Sequence, residues 1–178
     1  TTNQRQHLCI TGGEPLMVTG QMAFIGIYQE LERQDNLPGS ITFETNGTQK
    51  LSPGFKEFIK RIDTEVFFSV SPKLFTVSGE KTEKAIKPEI VAEYRELSDK
   101  GQLKFVVGHK EREWEEMEEA IVKFKSVGVD WPVWVMPVGA REEEQTTSAG
   151  AVAEKAFKRG YNVAARVHVY LFGNAIGT

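Results

Sequence analysis

The feature that most constrains this chain is an alternation. Short apolar, β-prone runs take turns with longer stretches of helical periodicity. The runs are His7–Thr11, Ser40–Thr45, Glu65–Ser71, Leu103–Val107 and Val133–Met136. Between them lie helical stretches over 22–33, 53–62, 86–98 and 111–125, and a last one over 149–159. Strands that alternate with helices form βα units, and near-continuous apolar strands belong to a parallel sheet covered by helices. The stretch 111–125 is the clearest amphipathic helix, with Trp114, Met117, Ile121 and Phe124 on one face. Val163 to Phe172 reads as a closing strand, and the polar stretch Thr76 to Lys87 as a loop or small insertion. The economical reading is one domain over 1–178, a parallel α/β sheet that is either open or part of a barrel.

Size and composition narrow the function. The 178 residues suit one domain with a substantial core, and the formal net charge of -3 gives no bulk attraction to nucleic acid. No apolar run approaches the roughly 20 residues of a membrane span, so no membrane partner is expected. Cys9 is the single cysteine. It cannot form an internal disulfide, which suits a reducing cytoplasm, and it cannot hold a metal alone. No histidine and carboxylate set has zinc-ligand spacing.

In parallel α/β folds, ligands gather at the carboxyl ends of the strands. Those ends read Thr11-Gly12-Gly13-Glu14-Pro15, Glu44-Thr45-Asn46-Gly47-Thr48, Ser71-Pro72-Lys73, Val107-Gly108-His109-Lys110 and Met136-Pro137-Val138. Glycines after a strand let backbone approach a ligand closely, and a carboxylate nearby accepts hydrogen bonds from an amine. A tight βα turn with no ligand produces the same letters. An Asn-Gly turn after a strand likewise needs no ligand.

Leu8 to Leu16 resembles the GGEP motif of radical S-adenosylmethionine enzymes. Ile41 to Thr48 and Ser69 to Leu74 resemble the E-T-N-G-T and S-x-S-P-K segments of the 7-carboxy-7-deazaguanine synthases. Arg166-Val167-His168 with Leu171 to Asn174 is similar to their R-x-H…L-W-G-N ending. GGEP alone is shared by many radical enzymes, and the other two segments discriminate better. The resemblance implies a partial (β/α) barrel of the radical S-adenosylmethionine type, missing its first strand.

It also implies a reaction. A [4Fe-4S] cluster cleaves S-adenosylmethionine, and the 5′-deoxyadenosyl radical converts 6-carboxy-5,6,7,8-tetrahydropterin into 7-carboxy-7-deazaguanine, a queuosine precursor, with help from Mg2+. A flavodoxin-type electron donor and a homodimer belong to the same implication. The cofactor-binding residues carried over are Gly12, Gly13, Glu14, Ser71, Pro72, Lys73, Val135, Met136, Pro137 and Val138. The substrate-binding set is Thr11, Glu44, Asn46, Arg166 and His168. Each has a plainer reading: turn residues at 11–14 and 44–46, a solvated Lys73, core strand at 135–138, and an exposed polar His168.

The sequence departs from the family at one point. Cluster binding takes three thiolates, and this chain has Cys9 alone. The expectation is a chain without its amino-terminal cluster segment, inactive by itself. An activase of glycyl-radical enzymes and a non-catalytic S-adenosylmethionine-binding remnant are the alternatives.

Overall fold

The computed structural model describes residues 6–139 and 142–172. Six strands form one parallel sheet: β1 (His7–Ile10), β2 (Ser40–Thr45), β3 (Glu65–Val70), β4 (Gly101–Val107), β5 (Val133–Pro137) and β6 (Asn162–Val163). Their spatial order is β1-β2-β3-β4-β5-β6, the order of the sequence. With right-handed crossovers, an order that never reverses stacks every connecting helix on the same face. Among the described residues the sheet is open, with β1 and β6 at its edges.

The helices are α1 (Val18–Arg33), α2 (Pro53–Arg61), the one-turn α3 (Phe75–Ser78) and α4 (Thr82–Ala85), α5 (Pro88–Arg95), α6 (Glu111–Ser126), α7 (Glu142–Lys158) and α8 (Val167–Phe172). Local chemistry sets several boundaries. The Ser52 hydroxyl caps α2 by accepting from the Phe55 N–H at 3.3 Å, with Pro53 in the first turn. Gly128, with φ 86°, ends α6.

Strand alternation separates two environments. Ile41, Phe43, Val66, Phe68, Val70, Leu103, Phe105, Val107 and Val135 are buried under the helices. Phe43 meets Phe24 of α1 edge-on at 4.9 Å and stacks on Phe68 at 5.7 Å between ring centroids. Burying side chains of this size contributes about 1.5–3 kcal/mol each before the entropy of ordering them. The intervening residues, among them Glu44, Ser69, Gln102, Lys104 and Met136, point to the helix-free face. That face carries most of the sheet's polar side chains, together with Phe67, Val106 and Trp134, where the other is mostly apolar.

The end of the chain differs from its sequence reading. Val163 to Phe172 is not a closing strand: β6 is two residues long and α8 follows it. The polar stretch from Thr76 to Lys87 holds α3 and α4. The Glu116 carboxylate of α6 accepts the N–H groups of Phe75 and Thr76 at 2.7 and 2.9 Å and the Thr76 hydroxyl at 2.6 Å. Among the described residues no helix is long and apolar enough to cross a membrane.

Candidate functional site

The helix-free face and the strand tips enclose a cavity of about 570 Å³. Thr11, Gly12 and Gly13 follow β1; Glu44, Thr45 and Asn46 end β2; Ser69, Ser71 and Lys73 come from β3 and its exit. Lys104, Val106, Met136, Ala165 and Arg166 complete the wall. The structure therefore brings together nine of the residues singled out from the sequence: Thr11, Gly12, Gly13, Glu44, Asn46, Ser71, Lys73, Met136 and Arg166.

The turn after β1 is built to stay open. Gly12 and Gly13 have φ of 90° and 48°, and a Cβ on either would meet nothing within 4 Å. Only glycine takes such backbone cheaply while leaving its peptide groups uncovered. Glu14 does not line the cavity. Its carboxylate accepts the Thr45 hydroxyl at 2.7 Å, the Asn46 N–H at 2.8 Å and the Leu16 N–H at 3.1 Å. It clamps the turn after β1 onto the end of β2.

Gln21 braces the same region from α1. Its amide donates to the carbonyls of Leu16 at 2.6 Å and Lys50 at 3.0 Å, and accepts the Ser52 N–H at 2.9 Å. The side chain is buried. The Asn46 side chain shapes its own turn, accepting from the Thr48 N–H and hydroxyl at 2.9 and 2.7 Å. The Ser71 N–H donates to the Thr45 carbonyl at 2.7 Å, tying the tips of β2 and β3.

Other expected contacts lie elsewhere. Val135 and Pro137 are buried on the helix side, so β5 delivers Met136 alone of its expected residues. Pro72 is buried. Val138 lies past β5, with its N–H on the Val107 carbonyl at 2.8 Å. The side chain of His168 lies outside the described residues, although its backbone belongs to α8 rather than to a strand.

Sequence reasoning missed Ser69 and Lys104. The signal was available: polar Gln102 and Lys104 alternate with Leu103 and Phe105. A parallel strand packed on both faces would be apolar throughout. The Lys104 ammonium lies 3.4 Å from Glu44 Oε1, and the Thr11 hydroxyl donates to Glu44 Oε2 at 3.4 Å. Cys9 faces the same surface. Burial pushes its thiol pKa up, the Glu44 carboxylate adds to that, and Lys104 opposes it.

Among the described residues of the cavity wall, Lys73, Lys104 and Arg166 set three cations against the one carboxylate of Glu44. The chain as a whole carries a formal charge of -3. The cavity thus favours a ligand that presents a carboxylate to these cations. Arg166 is partly held, with Nε 3.3 Å from Met136 Sδ and a guanidinium N–H donating to the Gly139 carbonyl at 3.1 Å.

No family model matches the chain. It is 30% identical over 172 residues to the 7-carboxy-7-deazaguanine synthase of Pyrobaculum aerophilum, a match covering 96% of this chain and 67% of that protein. It is 28% identical over 183 residues to the 7-carboxy-7-deazaguanine synthase of Rhodopirellula baltica, covering 97% of this chain and 64% of the relative. The chain spans about two thirds of the length of these relatives. Streptococcus suis SuiB bound to S-adenosylmethionine superposes with a TM-score of 0.51 at 15% identity, over 97% of this chain and 42% of that one. A second SuiB structure gives 0.52 over 43% of its chain. At that identity the likeness is one of fold.

Proposed function

The chain belongs to the 7-carboxy-7-deazaguanine synthase family, and we propose on that premise that its cavity binds S-adenosylmethionine and 6-carboxy-5,6,7,8-tetrahydropterin for conversion to 7-carboxy-7-deazaguanine. One observation carries the reading: Gly13, Ser71 and Met136, from three separate strand ends, line a single cavity. Both ligands carry a carboxylate, and Lys73 and Arg166 supply cations at the wall.

The residues suit S-adenosylmethionine. The uncovered turn at Gly12 and Gly13 offers backbone to the amino-acid end of the cofactor, and Ser71 and Lys73 flank it. When bound, the cofactor supplies the radical chemistry, and the protein contributes binding, orientation and exclusion of water. Thr11, Glu44 and Asn46 face the same space from β1 and β2 and serve to orient the pterin.

The residues do not suit an iron–sulfur cluster. Three thiolates are needed, and the chain supplies Cys9 alone. Nor do the described residues contain a group of three His, Cys, Asp or Glu side chains placed for magnesium. The reductive half of the chemistry therefore lies outside what these residues perform. Turnover by this polypeptide alone is not expected, whereas ligand binding is.

The test is formation of 7-carboxy-7-deazaguanine, detected by mass spectrometry. Any longer form of this chain that supplies three cluster cysteines is incubated with iron, sulfide, reductant, Mg2+ and both small molecules. Product is the expected result. Its absence from a protein with a spectroscopically intact cluster overturns the assignment. The single cysteine favours one second reading, a non-catalytic S-adenosylmethionine-binding protein, which predicts cofactor binding with no affinity for the pterin.

A further inference from the structure

We propose that Lys104 is a specificity-determining substrate contact that works with Glu44 to read the 2-amino-4-oxo edge of the pterin ring. The inference rests on the pterin reading above and adds a residue and a recognition rule to it.

Lys104 sits mid-strand in β4, on the helix-free face, with a side chain 18% exposed. The strand register pairs Glu44 with Ser69 and Ser69 with Gln102, so β3 lies between Glu44 and the position of Lys104. Neighbouring strands are about 4.8 Å apart, and the lysine must reach across roughly 10 Å of sheet to approach Glu44. A serine at position 69 leaves that path clear, where a bulky side chain would block it.

The contact at the end of this reach is loose. An ammonium carries three donors and no acceptor, and a carboxylate has about four acceptor positions. Charge-assisted bonds usually close to about 2.7–2.9 Å. Lys104 and Thr11 both stop at 3.4 Å from the Glu44 oxygens. No other hydrogen-bond partner of Lys104 occurs among the described residues. An ion pair with a partner as exposed as Glu44 contributes little to stability by itself. The arrangement instead leaves unused acceptors beside unused donors on the floor of a cavity.

That order matches one edge of the proposed substrate. Its pyrimidine ring presents an exocyclic N–H, a ring N–H and a carbonyl oxygen in sequence. A carboxylate accepts the two N–H groups side by side, and an ammonium beside it donates to the carbonyl. Replacing the 4-oxo group by an amino group would set a donor against Lys104, a mismatch that leaves buried polar groups unpaired.

The test is fluorescence titration of the protein with 6-carboxypterin and with 2,4-diaminopteridine-6-carboxylate, alongside a separate titration with S-adenosylmethionine. The unaltered protein is expected to prefer 6-carboxypterin. Lys104→Met should weaken that ligand about tenfold or more, abolish the preference for the 4-oxo ring and weaken S-adenosylmethionine far less than it weakens 6-carboxypterin. Lys104→Arg should retain part of the preference, which a purely structural role would not predict. Equal affinity of Lys104→Met and the unaltered protein for 6-carboxypterin overturns the role of Lys104 and leaves the pterin reading standing. If the unaltered protein binds S-adenosylmethionine but neither pteridine, the pterin reading falls and this inference falls with it.

Discussion

The Glu14 carboxylate accepts the backbone N–H of Asn46 at 2.8 Å, joining two turns that are 32 residues apart in sequence. The same carboxylate holds the Thr45 hydroxyl at 2.7 Å. This acid, the one polar side chain of the GGEP run, is a clamp between strand tips. Glu14→Ala should cost about 2–4 kcal/mol, because it strands donors that bonded a charged acceptor. Glu14→Gln keeps one acceptor oxygen and should cost less. Urea unfolding of the two variants checks the ranking, and equal stability of both with the parent would contradict it.

Gln21 makes a second prediction in the same region. Its buried amide satisfies two carbonyls and one N–H from the loops at Leu16, Lys50 and Ser52. Gln21→Leu fills the volume and leaves all three unpaired, at an expected cost of about 2–4 kcal/mol. Gln21→Glu should be worse than its similar shape suggests, since it sets a carboxylate oxygen against a carbonyl. Thermal unfolding of the two variants reports the difference.

Two glycines on α1 should respond in opposite directions. A Cβ at Gly20 would lie 2.2 Å from the Pro15 carbonyl oxygen, whereas one at Gly26 would meet nothing within 4 Å. Gly26→Ala is an exposed mid-helix change and should stabilise by about 0.5–1 kcal/mol. Gly20→Ala must push α1 away from the turn that follows Gly13, so it should destabilise the fold and weaken cofactor binding. Unfolding midpoints and a binding titration on the pair test both signs.

The Glu116 clamp on α3 gives a pH signature. Burial raises this carboxyl, but the Thr76 hydroxyl and the N–H groups of Thr76 and Phe75 outweigh it and hold the pKa below the ordinary carboxylate value. A depressed folded pKa contributes stability that is present above the unfolded pKa and is lost as pH falls through the folded one. The stability gap between the parent and Glu116→Gln should therefore be full near neutrality and shrink below about pH 4. Urea titrations across that range measure it. A gap independent of pH would show that the charge does not anchor α3.

Most of the sheet was legible because parallel strands announce themselves as short apolar runs ended by Gly, Asn or Pro. The runs at His7, Ser40, Glu65, Leu103 and Val133 all became strands. Val163 to Phe172 misled because a short, mostly apolar stretch with valines at 163, 167 and 169 suits strand and buried helix alike. The structure resolves it as α8 over most of its length. Helices α3 and α4 escaped notice because a carboxylate on α6, some 40 residues away, holds the segment. The alternation of β4 marks Lys104 as facing a polar surface, but its pairing was hidden for a related reason. Its partner Glu44 lies 60 residues earlier, across an intervening strand.

Whether separate strand tips form one S-adenosylmethionine site is decided by calorimetric titration of that molecule into the protein. The protein should bind with measurable heat. Ser71→Leu and Gly13→Ala should each lower affinity by about tenfold while the circular dichroism spectrum stays that of the parent. Unchanged affinity in both variants, or no binding by the folded parent, would rule out a shared site at these strand tips.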